Sequence, residues 1–315
     1  MRARIIRAAL SSFVPDVFIT DKHPRGLMRE LDQALGDLRA LGHTRFVLGL
    51  RDILDHPFAV RRDWLQDGNV ETIRETYDTI WVYGDPRVYD PRSEYGFSSE
   101  ISRKLRFTGY LDPSSRLLPN DLDGLDEKGM PEQFALCLVG GGQDGRDLAR
   151  SFAEAVLSRR NLQGCLVTGP FMPRESKSEL LALAGTDARL RVLDFVRNPG
   201  ILLRRANRVV TMCGYNALTE ALTLRVPVLG VPRVRPRVEQ LIRARAFEER
   251  GLIDVLCPDD ATSEAIASWL EIDMPSPPSA HERIDFKGLE RLPMFLEDIV
   301  PARRVSGRQN GVRRS

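Results

Sequence analysis

The chain has 315 residues, enough for two domains of ordinary size. Its 42% hydrophobic and 29% charged residues fit a globular protein, and exclude a disordered or fibrous one. Lys+Arg 46 against Asp+Glu 44 leaves a net charge of +2, which gives no global case for nucleic-acid binding.

No stretch approaches the ~20 apolar residues that span a bilayer. The four cysteines, Cys137, Cys165, Cys213 and Cys257, form no CxxC pair and read as free thiols in a reducing compartment. With only four scattered histidines, no metal site is expected.

In chain order, "MRARIIRAALSSF" (1–13) predicts an amphipathic helix, because Arg7 interrupts what a targeting segment would need as an apolar core. "PDVFITD" (15–21) predicts a strand. "LMRELDQALGDLRALG" (27–42) predicts a helix closed by Gly42. "RFVLGLRD" (45–52), "TIWVYGD" (79–85) and "RFTGYL" (106–111) predict three further strands. The stretch 117–133, rich in Asp, Gly and Pro, reads as a linker.

The alternation then restarts. "FALCLVGGG", "GCLVTGP", "RLRVLDFV", "RVVTMC" and "VPVLGVP" predict five strands with helices between them. "FKGLERLPMFLEDIV" predicts one helix broken at Pro293. The tail "PARRVSGRQNGVRRS" carries five arginines and no acid. It reads as a solvated tail or, functionally, as a weak contact with anionic lipid headgroups. Continuous apolar strands alternating with helices imply parallel sheets covered on both faces. The fold class expected is α/β, with two doubly wound Rossmann-like units. Their carboxyl edges should face a common cleft, where such sheets bind ligands.

Five loops at those edges carry candidate chemistry. "VGGGQDG" (139–145) matches GxGxxG through Gly140, Gly142 and Gly145, and its glycines let backbone amides approach a ligand. A dinucleotide site would also want an acid at the end of the next strand, where Thr168-Gly169-Pro170 stands instead. "CGYNALTE" (213–220) puts Gly214, Tyr215 and Asn216 at a helix amino end, where the dipole favours phosphate. Glu220 is placed there to accept two hydrogen bonds, as from the vicinal hydroxyls of a ribose.

"VPRVRPRVEQ" (231–240) sets Arg233, Arg235 and Arg237, which suit phosphates, beside Glu239 and Gln240, which suit sugar hydroxyls. In the first unit, "TDKHPRG" and "GLRDILD" place Asp21, His23, Arg51 and Asp52 at the cleft. His23 is the candidate general base. Each motif also has a bland reading: a tight turn, a solvated charge, a basic surface loop or an idle loop histidine.

These residues carry a resemblance. Residues 134–260 resemble the C-terminal unit of family 28-type GT-B glycosyltransferases. The likeness runs through the Gly-rich loop (140–143), "VTGP" (167–170), "DFVRNPGILLRRANRVVTMCGYNALTEAL" and "VPRVRPRVEQLIRARAFEERGL". "PDVFITDKHPRG", "VLGLRDILD" and "WVYGDP" resemble a bacterial group of predicted glycosyltransferases of the same superfamily.

The resemblance implies a nucleotide-sugar donor, with UDP the expected nucleotide, no metal and no cofactor. Phe195-Val196 would lie along the base through backbone contacts, Glu220 would hold the ribose, and Gly214 to Asn216 the diphosphate. Glu239 and Gln240 would read the sugar. Gly141, Gly142, Gln143, Thr168, Gly169, Arg233 and Arg237 complete the donor-facing set. His23, with Asp21 and Asp52, would form the catalytic group that deprotonates an acceptor hydroxyl.

The division expected is an incomplete acceptor-side domain over 1–118, a linker over 119–133, a nucleotide-sugar domain over 134–275, and a return helix with basic tail over 276–315. Members of the superfamily begin with a further strand and Gly-rich loop, so the first domain is expected to be short of its opening portion. The expected partners are a nucleotide sugar and a lipid-linked or small acceptor, with no nucleic acid. The expected compartment is the cytoplasm, with peripheral contact at the inner membrane face. A sugar-nucleotide epimerase or hydrolase, or a nucleotide-sugar-binding remnant without turnover, are the alternatives.

Overall fold

Apolar runs alternating with helices resolve into two parallel sheets. The computed structural model describes residues 1–113, 133–273 and 280–300. The expected linker, apart from Gln133, and the basic tail beyond residue 300 lie outside the described residues.

The first unit contains α1 (Arg2–Phe13), β1 (Val17–Asp21), α2 (Asp32–Leu41), β2 (Arg45–Arg51), α3 (Pro57–Gln66), α4 (Asn69–Thr76), β3 (Thr79–Tyr83), α5 (Pro91–Glu94), α6 (Ser99–Lys104) and β4 (Leu105–Phe107). The second opens with β5 (Phe134–Leu138), α7 (Arg146–Ser158), β6 (Gly164–Val167), α8 (Arg174–Ala184), β7 (Leu190–Leu193), α9 (Gly200–Arg205) and β8 (Ala206–Thr211). It continues with α10 (Tyr215–Thr223), β9 (Val228–Gly230), α11 (Glu239–Glu248), β10 (Asp254–Val255) and α12 (Ser263–Glu271). The chain then returns through α13 (Ala280–Arg283) and α14 (Gly288–Ile299).

Helix α2 starts later than its leucine spacing predicts. Gly26 and Arg29 both take left-handed backbone angles (φ 79° and 59°), which a right-handed helix cannot contain, so residues 27–31 form turns instead. Its end at Gly42, φ 70°, is the expected left-handed cap.

The first sheet has the order β1-β2-β3-β4, all parallel. Its centre is β2 and β3, where Phe46 to Leu50 and Thr79 to Val82 are buried on both faces. Strand β1 is one edge, and Ile19 on it remains 45% exposed. The second sheet has the order β10-β9-β8-β5-β6-β7. The chain moves outward from β5 through β6 to β7, then crosses back to β8. The strand order therefore reverses between β5 and β8, which opens a crevice at their carboxyl ends. The Gly-rich loop follows β5 and the Cys213-Gly214 turn follows β8, so both border it.

The chain crosses between the units twice, and the crossings lie side by side. Tyr110 N–H donates to the Asp285 carbonyl at 2.7 Å, and Gly288 N–H donates to the Tyr110 carbonyl at 3.0 Å. Such close approach requires Gly288, because a Cβ there would lie 2.7 Å from Tyr110 O.

Beyond this strap α14 packs on the first sheet, with Phe295 6.0 Å from the Trp81 ring and the Arg106 guanidinium 4.0 Å over Phe295. The expected break at Pro293 does not occur, and α14 runs through it. Proline removes one hydrogen bond, and the packing of Phe295 on Trp81 and Arg106 offsets that loss.

Candidate active site

The carboxyl ends of the two sheets border a cleft of about 500 Å³. Asp21, Arg51 and Tyr83, at or beside the ends of β1, β2 and β3, line one wall. Tyr215, Asn216, Thr219 and Glu220 of α10 line the other, and Leu289 and Leu292 of α14 close one side.

The first helical hydrogen bond of α10 runs from Leu218 N–H to the Gly214 carbonyl, and no side chain caps the helix. The amides of Tyr215, Asn216 and Ala217 therefore have no acceptor within the helix. Glu220, one turn further on, makes no side-chain hydrogen bond or ion pair among the described residues. Its half-burial raises its pKa above the ordinary 4.5.

Lys22 and His23 directly follow Asp21, on the loop after β1, and are not among the residues that line the cleft. Lys22 takes a left-handed angle, φ 64°, and its amide donates to the Gly49 carbonyl at 2.8 Å. Burial lowers the Lys22 pKa, and the nearby Arg237 lowers it further. Burial also lowers the His23 pKa below the ordinary 6.5, helped by Lys22 and Arg237, so its imidazole is neutral near pH 7. The structure thus brings His23 and Lys22 of the first unit up to Arg237 of the second. Lys22 lies in the quoted "TDKHPRG" stretch, yet sequence reading passed over it. Its signal was adjacency to His23 in the same edge loop.

Residues of the second unit divide into those that reach the crevice and those spent on structure. Gly142 (φ 90°) and Gly169 (φ 82°) are needed for loop-on-loop packing: a Cβ on Gly142 would lie 2.1 Å from Thr168 O, and one on Gly169 2.4 Å from Gly140 O. Thr168 is corrected from a donor-facing residue to a buried tie, since its hydroxyl donates to the Leu193 carbonyl at 3.3 Å. Gly141 and Gln143 are exposed on the loop surface, as is Phe195, whereas Val196 joins the core. The Tyr215 ring is buried and its hydroxyl accepts from Leu111 N–H at 3.3 Å.

Arg233 is also corrected. Its guanidinium is held between Asp144 at 2.9 Å and Glu239 at 2.6 Å, which neutralises it as a phosphate partner. Gln240 accepts from Arg233 N–H at 3.0 Å. Glu239 Oε2 is buried with no hydrogen-bond partner among the described residues, and remains an open acceptor. Among the described residues, Arg237 has a single, distant ion-pair partner, Asp55 at 3.9 Å.

Asp52 does not face the cleft. It is 1% exposed and paired with Arg243, 2% exposed, at 2.7 Å across the two units. One position beyond the end of β2 its side chain turns into the contact with α11, so it has no access to a substrate. Arg243 was not marked by sequence reasoning, because an arginine in "LIRARAFEERG" reads as solvated. Burial opposes its charge, and Asp52 more than offsets burial, holding the guanidinium pKa above its ordinary value.

No family model matches the chain. Over 67 residues, 21% of this chain and 19% of the relative, it is 40% identical to the UDP-N-acetylglucosamine--N-acetylmuramyl-(pentapeptide) pyrophosphoryl-undecaprenol N-acetylglucosamine transferase of Geobacillus kaustophilus. Over 201 residues, 62% of this chain and 50% of the relative, it is 23% identical to an uncharacterized glycosyltransferase of Methanosarcina acetivorans. The matches thus span half or less of each of these two curated relatives.

Among solved structures, the glycotransferase of kitacinnamycin superposes with a TM-score of 0.64 at 15% identity, covering 95% of this chain and 80% of its own. A UDP-N-acetylglucosamine 2-epimerase described as putative, from Listeria monocytogenes, superposes with a TM-score of 0.64 at 13% identity, covering 94% and 76%. At such identities the likeness is one of fold. The chain has the α/β architecture of GT-B proteins, with two Rossmann-like domains, and in sequence it is similar to family 28-type glycosyltransferases.

Proposed function

We propose that this chain is a glycosyltransferase that takes its sugar from a nucleoside-diphosphate donor, UDP-linked, and passes it to an acceptor hydroxyl. The observation that carries the reading is α10. Its uncapped amino end and the unpartnered Glu220 line one cleft together with Asp21 and Arg51 of the opposite unit.

In this reading the free amides of α10 and the dipole behind them bind the diphosphate. Arg237 and Lys22 add positive charge from either side, which offsets the charge that develops on the leaving diphosphate. Glu220 accepts from two ribose hydroxyls. Glu239 Oε2, which lacks a partner, accepts from a sugar hydroxyl, and the main chain at 195–196 lies along the base. His23, kept neutral, takes the proton from the acceptor hydroxyl as the new C1–O bond forms and the C1–O bond to the diphosphate breaks. Asp21 orients the acceptor. No helix among the described residues is long and apolar enough to cross a membrane. A lipid-linked acceptor, as in the name of the Geobacillus relative, would therefore be met at a membrane surface.

Titration calorimetry with UDP tests the donor half. UDP binding to the parent and its loss in Glu220→Ala at unchanged melting temperature are expected, and unchanged affinity would remove the ribose assignment. The equal superposition on a 2-epimerase keeps a second reading. Release of UDP from UDP-N-acetylglucosamine supports transfer, whereas a 2-epimer formed with no acceptor present supports the second reading.

A further inference from the structure

A buried ion pair between the two units has no chemical step in the proposed transfer. Arg243 of α11 points into the first unit. Its Nε donates to both Asp52 oxygens at 3.2 and 3.0 Å, and its Nη2 to Asp52 Oδ1 at 2.7 Å and to the Ile53 carbonyl at 3.3 Å. Its Nη1 donates to the Cys213 carbonyl at 3.2 Å. From the crossing segment, the Tyr110 hydroxyl donates to Asp52 Oδ2 at 3.1 Å.

Cys213 immediately precedes Gly214, the residue that caps α10, and holds a left-handed angle of 59° while fully buried. Such an angle persists in a non-glycine residue only where its surroundings fix it. Arg243 and Arg51 both approach the Tyr215 ring, with their guanidinium carbons 5.8 and 5.9 Å from its centroid. One guanidinium thus joins α11, the loop after β2 and the carbonyl of the strained turn.

We infer that Arg243 and Asp52 are positioning residues: together they set the spacing of the two units and hold the Cys213-Gly214 turn so that the α10 amides face the cleft. The second half of this inference rests on the proposed diphosphate site. A buried ion pair is weak as a source of stability, because a well-packed neutral replacement is often as stable, whereas removing one partner alone strands a charge. Stability and positioning can therefore be separated by substitution.

The test uses the full chain in a Cys257→Ser background, with spin labels at Glu71→Cys on α4 and Arg150→Cys on α7. Distances are read by pulsed electron spin resonance without nucleotide, and UDP affinity by calorimetry. Arg243→Met alone is expected to lower the melting temperature, and Asp52→Asn/Arg243→Met to recover it. The double variant should nevertheless broaden or shift the distance distribution and weaken UDP binding by at least about fivefold, at the low end of couplings between sites.

An unchanged distribution in the double variant overturns the spacing claim, and unchanged UDP affinity overturns the claim about the turn. Should the double variant not fold, Arg243→Lys decides. It keeps a cation against Asp52 and loses the arm to Cys213, so weaker UDP binding at the parental melting temperature supports the inference and parental affinity overturns it. If UDP binds to no form, the diphosphate reading fails, while the distances still judge the spacing.

Discussion

The first sheet runs β1-β2-β3-β4 in chain order, while the second runs β10-β9-β8-β5-β6-β7 and reverses between β5 and β8. A sheet whose strands follow one direction leaves no internal crevice, so the described part of the first unit offers only its edge loops. The reversal in the second unit parts two loops above the sheet and frees the amino end of α10 between them. The difference separates the roles: the second unit has the architecture to hold a ligand, and the first brings side chains such as Asp21, His23 and Arg51 to it.

That division can be broken at graded cost. The largest effect falls where the units meet: Arg243→Met strands Asp52 and should lower unfolding free energy by about 3–5 kcal/mol, read by chemical denaturation. Next, if His23 is the base proposed, His23→Ala should reduce kcat by ~10²- to 10⁴-fold while UDP affinity stays parental, since the base acts on the acceptor hydroxyl and not on the nucleotide. A matching loss of UDP affinity would show that His23 belongs to the nucleotide site instead.

Glu220→Ala should do the reverse, weakening UDP binding by about 1.5–3 kcal/mol for a charged acceptor lost. Gly142→Ala, which drives a Cβ to 2.1 Å from Thr168 O at a positive φ, should cost about 1–3 kcal/mol of stability and leave the first unit's melting intact.

Acidity sharpens the same contrast most gently. Burial lowers the His23 pKa in the folded state, so the unfolded chain takes up the proton first as pH falls through 6.5. The stability His23 contributes is present above that value and is lost below it, and the acid limb of kcat should lie below pH 6.5. Burial raises the Glu220 pKa, and a ribose needs its carboxylate form. UDP affinity should therefore weaken as pH falls towards 4.5, and Glu220→Gln should abolish that dependence in calorimetry.

The sheets were legible in the sequence because their central strands are continuous apolar runs, as in 46–50 and 135–138, ended by glycines and charged residues. The α10 motif was legible for the same reason: a buried strand, a glycine and a helix in immediate succession leave little freedom. The side-chain pairings were not. Asp52 and Arg243 are 191 residues apart, and neither has a local pattern that distinguishes a buried pair from two solvated charges. Arg233 reads as a phosphate ligand until the fold brings Asp144, 89 residues away, against it. Pro293 misled through its propensity, which packing of α14 overrides.

The strap formed by 109–111 and 285–288 carries a mechanical consequence. Two crossings far apart would act as two pivots and pin the units rigidly; two unbonded ones would let them swivel freely. Here the crossings are bonded to each other and anchored on the first unit, where Asp285 N–H donates to Asp85 at 2.9 Å and the Arg291 guanidinium to the Thr108 carbonyl at 2.6 Å. Such a paired ribbon should bend across its face more easily than it twists. Once the Arg243–Asp52 contact is released, rotation of the second unit should follow a single arc about that ribbon, so that the width of the cleft varies along one coordinate.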